Sequence, residues 1–269
     1  MTLAQSLRII RRLIAIDAVG SMIYRGEFII YMLSVVIGPV ISLLIWRTAL
    51  ESGADLPVDA EYLTTYFVLL GIVSMLTSSW IAGFLAQEIR DGTLSKWIVR
   101  PGSTHFSGIA NNLSEKIVKT VVLTPLIALV WWSFRDAIVL PSDPARWLLF
   151  MVSVVGAAVM VYAMHVMTGA LAFWFEDVTG MDRAREMISS VLRGQLVPLA
   201  LMPGGAEGFI EIQPFRYTLS FSIELVIGDL SNGELVTGML LQLAYPALFV
   251  AGAMALWRRG MRAYAAVGA

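Results

Sequence analysis

The chain has 269 residues, 58% of them hydrophobic and only 14% charged, with a mean hydropathy of +0.75 and a net charge of −1. A soluble domain carries about 25% charge, so this composition excludes an ordinary soluble globule and points to helices in a bilayer. With no cysteine and two separated histidines, His105 and His165, the chain has no disulfide framework, no thiol nucleophile and too few histidines for a metal cluster.

In chain order, residues 1–24 come first. Leu3, Leu7, Ile10 and Ile14 fall on one helical face, and Arg8, Arg11 and Arg12 on another. That pattern suits a basic amphipathic helix lying on an anionic membrane surface; the other reading is a plain extension of the first span. The interleaved arginines set it apart from a cleavable signal. Residues 28–46 carry no charge and suffice for span one, with a kink at Gly38-Pro39. An acidic loop, 47–61, leads to span two, 62–87. Span three starts near Leu113 and runs to Phe134, with Lys116 and Lys119 snorkelling at one end and Trp131 and Trp132 forming an interfacial belt at the other. After a short loop, residues 147–175 form span four, longer than one crossing needs, and 176–186 read as a polar turn. The stretch 187–202 is apolar but interrupted by Arg193, Gln195 and Pro198, which makes a short fifth span. Residues 203–234 read as a partly inserted hairpin, and 235–257 as the last span, followed by Arg258, Arg259 and Arg262. Irregular backbone at membrane depth survives only where protein or water satisfies it, so the hairpin is expected to pack against helices.

The expected fold is an all-α membrane protein: one transmembrane domain over 1–269, with six transmembrane helices, an N-terminal interfacial helix and a re-entrant hairpin between spans five and six. Placing both termini in the cytoplasm leaves Arg47, Arg135, Arg146 and Arg216 outside and the other 15 of the 19 Lys and Arg residues inside. The positive-inside rule favours that orientation.

The loop between spans two and three, within 84–112, is unusually polar for this chain: "FLAQEIRDGTLSKWIVRPGS". Thr93 suits a helix cap after the flexible Gly92. Leu94, Trp97 and Ile98 share a face at spacing i, i+3, i+4, and Pro101 ends the helix. A Trp anchor with a charged rim reads as a docking site for a protein partner or as a surface loop with interfacial anchors.

Glu88-x-x-x-Gly92-Thr93-Leu94, with Pro101 seven residues after Leu94, resembles the first cytoplasmic loop of ABC-2 type exporter permeases, the membrane subunits of one class of ATP-binding-cassette exporters. The likeness extends over nearly the whole chain: interfacial helix, six spans, and a hairpin in which "QPFRYTLSF" resembles the family's extracellular re-entrant region. A departure is Ser95, where a second acidic residue is frequent. The resemblance implies that Glu88, Arg90, Asp91, Gly92, Thr93, Leu94 and Trp97 form a coupling helix contacting an ABC ATPase, and that Pro203, Pro214, Phe215 and Glu224 belong to the re-entrant hairpin. No G-x-x-x-x-G-K-[ST] occurs here, so ATP and Mg belong to a separate ATPase subunit. Two ATPase copies imply a second permease, either identical or a paralogue. The setting implied is the cytoplasmic membrane of a prokaryote, with no nucleic acid as partner and no catalysis by this chain.

Ionisable residues at membrane depth are functional candidates. Arg193 either snorkels to the interface or lines a translocation cavity with Gln195. His165 is a packing histidine or a substrate contact. Met164, with Met160 and Met167 near one face, is core packing or an adaptable apolar path. Glu224 gates the hairpin or reaches outer water. Glu176, Asp177, Asp182, Arg183 and Arg185 read as a solvated turn that also touches the ATPase. The expected cargo is a small amphiphilic or drug-like molecule, with lipid, peptide or glycan as alternatives. An ion-coupled secondary transporter or channel is the competing class; it requires a carboxylate deep in a span, and spans one, two, four and six contain none.

Overall fold

The computed structural model describes residues 9, 11–16, 25–95, 104–203, 205–228 and 230–264, with side chains described except at 25–34 and 104–106. Every regular element among them is helical. The helices are α1 (Arg25–Glu51), α2 (Ala60–Thr77), α3 (Ile81–Arg90), α4 (Thr104–Phe134), α5 (Pro144–Ala170), α6 (Thr179–Leu192), α7 (Glu207–Ile212), α8 (Ser220–Ile227) and α9 (Asn232–Ala263).

Among the described residues, four helical stretches are long and apolar enough to cross a membrane: Ala60–Arg90, Ser107–Ala137, Pro144–Phe173 and Asn232–Ala263. Three of them start at caps written in the sequence. Asp59 accepts from the Tyr62 N–H at 2.7 Å, Asp143 accepts from Ala145 N–H beside Pro144, and Ser231 and Glu234 form a reciprocal capping box. We call this the capped end of the bundle. The opposite, basic end holds Arg90, Arg183, Arg258 and Arg259.

α5 is the central helix, in contact with α2, α3, α8 and α9. Toward the capped end α2 packs its Leu63, Phe67 and Leu70 with Phe150 and Val154 of α5 and Leu219 and Ile223 near and on α8. Toward the basic end α3 packs Leu85, Ala86 and Ile89 with Val166 and Ala253. Gly169 lets α3 and α5 touch: a Cβ there would lie 2.9 Å from the Ala82 carbonyl oxygen. By contrast α4 and α9 are only 11% and 17% buried over their most apolar windows, so they turn most of their apolar surface outward.

The span expected at 62–87 is present within Ala60–Arg90. It is broken in the middle: α2 ends at Thr77 and α3 starts at Ile81, because Ser78 is extended (ψ 150°) and Trp80 leaves helical geometry. Other expectations change. The 176–186 turn is mostly helix, since α6 begins at Thr179, and the helix that opens the 187–202 stretch ends at Leu192. Its charged residues are tolerated because they pair with one another. Residues 11–16 are helical, with Arg11 and Arg12 exposed, and the Ile14 carbonyl accepts from the Ser114 hydroxyl of α4 at 3.1 Å; the rest of the expected 1–24 helix, apart from residue 9, lies outside the described residues.

After α6 the chain turns at Gly194 (φ +78°), passes a 3-10 turn at Leu199–Leu201, and reaches α7. The segment Pro214–Thr218 and α8 then lie among the helices. Tyr217 and Phe221 bury against Met160 and Met164 of α5 and Met239 and Tyr245 of α9. The hydroxyls of Ser222 and Ser153 meet at 2.8 Å. Arg216 and Glu224 form a 2.6 Å ion pair with both side chains nearly buried.

Candidate functional site

α6 places Asp182, Arg185 and Glu186 at i, i+3 and i+4, hence on one face. Its end is a Schellman-type stop: Gly194 N–H donates to Val191 O at 3.1 Å and Gln195 N–H to Ser190 O at 3.2 Å. The left-handed Gly194 reverses the chain and sets Arg193 and Gln195 over Glu186. Tyr66 locks the turn by donating to Gly194 O at 2.9 Å and meeting the Ser220 hydroxyl at 3.0 Å.

The result is a chain of charges. Arg185 Nη2 lies 2.8 Å from Asp182 Oδ1 and 3.5 Å from Glu186 Oε2; Arg193 Nη2 donates to Glu186 Oε1 at 2.8 Å. Arg193 Nε donates to Gln195 Oε1 at 2.9 Å. Arg185 Nη2 also reaches His165 Nε2 at 3.1 Å. A guanidinium has donors only, so the ring nitrogen facing it is an unprotonated acceptor. Two cations and two carboxylates thus neutralise one another. Arg185 and Arg193 are the more buried members and Glu186 the most exposed.

These groups line a cavity of about 660 Å³. Its other walls are Gly38, Pro39 and Ser42 of α1, Ser74 of α2, the break at Ser78, Ser79 and Trp80, and Phe84 of α3. The lining is charged at Asp182, Arg185, Glu186 and Arg193, hydroxylated at Ser42, Ser74, Ser78 and Ser79, and largely apolar elsewhere. Pockets of this size and lining hold small organic ligands.

Among the expected path residues, His165, Arg193 and Gln195 meet on this cavity. Met164, the neighbour of His165, points elsewhere: it is buried in the core with Tyr217 and Phe221. Asp182, Arg185 and Glu186 join the cavity and were legible only as a charged turn; their i, i+3, i+4 spacing is the signal of a polar helical stripe. In the 203–234 segment, expected as a hairpin, Pro203 is exposed, Pro214 opens a 3-10 turn whose Gln213 side chain accepts from Phe215 N–H, and Glu224 pairs with Arg216. A second hollow of about 340 Å³ lies near the capped end, lined among others by Glu207, Glu211, Glu224, Glu234 and Arg216.

The loop after α3 is a tight turn. Gly92 takes φ +70°, and Leu94 N–H donates to Glu88 O at 3.0 Å. Leu94 is fully buried beside Leu85, Ile89 and Val178, so it anchors the loop to the bundle. Arg90, Asp91 and Thr93 are exposed, while Glu88 is half-buried. Arg90 Nη1 donates to Glu176 O at 3.2 Å and lies 3.9 Å from Asp177, which joins this loop to the one between α5 and α6. Hydrogen bonds from Thr179 hold the exposed Asp177 carboxyl below its ordinary pKa. Trp97, Lys96 and Arg100 lie outside the described residues.

The family of ABC-2 family transporter proteins matches residues 59–268, which takes in the cavity's α2, α3, α5 and α6 walls, the turn after α3 and the 203–234 segment. This chain belongs to that family. It is a multi-pass ABC permease, the membrane component of a transporter and not catalytic by itself, and permeases of this family generally work with an ABC ATPase. No curated protein matches the chain.

Proposed function

We propose that this permease is the membrane subunit of an ATP-driven exporter that moves a small amphiphile out of the cytoplasm of a prokaryote through the 660 Å³ cavity. The carrying observation is that cavity, whose charged stripe on α6 ends beside the wall formed by α3. The same α3 runs directly into the Glu88–Leu94 turn. Motion imposed on the turn is therefore delivered to the cavity wall through ten residues of helix. In this reading the basic end faces the cytoplasm, both termini included. An ABC ATPase docks on the exposed Arg90, Asp91 and Thr93 with Glu88, Gly92 and Trp97, while buried Leu94 fixes the turn. ATP and Mg sit on that partner, two copies of it, and a second permease completes the complex. α1 and the run from α6 to Leu201 bring the span count to six, and 203–234 is the re-entrant hairpin. Nucleotide-driven closure then biases a two-state bundle.

The test is purification of the tagged chain in mild detergent, with mass spectrometry of what accompanies it. An ATP-binding-cassette subunit that is lost in Trp97→Ala, with the spans intact by circular dichroism, supports the reading. Gly92→Pro, which removes the φ +70° turn, should likewise lower coupled ATPase activity. Full activity in both variants overturns the docking site.

One observation favours the second reading, an ion-coupled transporter. Glu115 and Lys119 of α4 form an ion pair in which Lys119 is fully buried. Ion-gradient-driven flux in vesicles lacking ATP and any ATPase would select it.

A further inference from the structure

The break between α2 and α3 has no proline or glycine to cause it; its residues are Ser78, Ser79 and Trp80. Helix breaks expose backbone carbonyls, and at membrane depth something must satisfy them. Here α4 does. Lys116 Nζ donates to Ser78 O and to Asn112 Oδ1, each at 2.6 Å, and Asn112 Nδ2 reaches the same Ser78 carbonyl at 3.3 Å. Lys119 Nζ donates to Ser78 Oγ at 3.1 Å, pairs with Glu115 and lies 5.9 Å from the Trp80 ring. Two lysines thus hold an opened backbone from behind.

The cavity side of the break is different. The Ser78 hydroxyl is spent, since it also donates to Met75 O at 3.3 Å. Yet Ser74 Oγ and Ser79 Oγ are buried without a hydrogen-bond partner among the described residues, Ser79 at 6% exposure, and all three serines line the cavity. Buried hydroxyls left unmatched are uncommon and want an explanation. A free hydroxyl both donates and accepts, which suits a neutral carbonyl or hydroxyl group. A charged head would find its counter-charges already taken, because Asp182, Arg185, Glu186 and Arg193 pair with each other. Beside the notch, exposed Trp80 and Phe84 offer apolar surface for a tail.

We propose that the break at 78–80 is the cavity's head-group site: Ser74 and Ser79 bind the uncharged hydroxyl or carbonyl of an amphiphile, and Lys116 and Lys119 are positioning residues that keep the site open. This rests on the exporter reading only for the word cargo; the site itself is testable without an ATPase.

The chain has no cysteine, so Ser79→Cys introduces a single thiol at the notch. In lipid nanodiscs, N-ethylmaleimide should label it about tenfold faster than the thiol of Val155→Cys on the exposed face of α5, since a thiol in apolar surroundings ionises poorly. Three probes of equal tail length then read the head group: dodecanol, dodecylammonium and dodecanoate. Dodecanol should slow labelling of Ser79→Cys by about fivefold or more near saturation, and the two ions should not. Equal or better protection by either ion overturns the proposal, as does labelling no faster than at Val155→Cys. Lys116→Met should lower the labelling rate and Lys116→Arg restore it; an unchanged rate in Lys116→Met removes the positioning role. Recovery of no ATPase sinks the exporter reading and leaves these outcomes intact. Recovery of an ATPase with no head-group preference sinks this site alone.

Discussion

The two ends of this bundle are built from different interactions. At the capped end, several buried polar groups are matched inside the chain, Tyr66 with Gly194 and Ser220, Ser153 with Ser222 and Arg216 with Glu224, with Arg146 Nη1 and Gln242 Oε1 as exceptions among the described residues. At the basic end the turn after α3 is tied by buried Leu94, by a 3.3 Å contact between the Ser95 and Tyr264 hydroxyls, and by solvent-exposed contacts between Arg90 and the 176–177 loop. Buried pairs cost much to break because the orphaned partner stays desolvated. Exposed pairs cost little. The capped end therefore reads as scaffold and the basic end as working surface.

That contrast has measurable edges. Gly194→Ala should do the most damage: a side chain at φ +78° is strained and would run into the Tyr66 and Ser220 hydroxyls. A loss of about 3 kcal/mol or more is expected in a denaturation series in detergent. Arg216→Met comes next, stranding Glu224, at about 3 kcal/mol. The double variant Arg216→Met with Glu224→Gln should recover much of it. Tyr66→Phe should cost about 1–2 kcal/mol by removing one hydroxyl from a buried trio. Smallest in stability is Arg90→Ala, which should leave the melting temperature unchanged while reducing ATPase stimulation in the complex. If Arg90→Ala melts as early as Tyr66→Phe, the division into scaffold and surface collapses.

Much of the fold was legible because membrane helices announce themselves by length and apolar composition; their starts, capped by Asp59, Asp143-Pro144 and Ser231 with Glu234, came from the structure. The break at Ser78–Trp80 was not, since its cause is remote. Lys116 and Asn112 satisfy the carbonyl from another helix, and periodicity cannot see that. α6 was hidden for a related reason. Asp182, Arg185 and Glu186 look like a solvated turn until Arg193, folded back by Gly194, neutralises the stripe. Of the cavity residues, Arg193, Gln195 and His165 were legible as polar residues in apolar stretches. Met164 shared the stretch but not the face. Leu94 belonged to the loop motif, yet its role as an inward anchor depends on Val178 and Ala172, some 80 residues later.

The burial of Tyr217 and Phe221 also dictates a sequence of events during biogenesis. Tyr217 and Phe221 sit in a niche whose far wall is α9, where Gly238 leaves room for the Phe221 ring and the Tyr245 hydroxyl donates to Ile212 O. A nascent chain that has emerged only as far as α8 has no such wall. Tyr217 and Phe221 then have no finished berth, so the 203–234 segment is expected to be held at the insertion machinery, or outside the lipid, until α9 is made. A chain truncated before Asn232 should accordingly be cleared by membrane quality control, even though every helix of the cavity has already been synthesised.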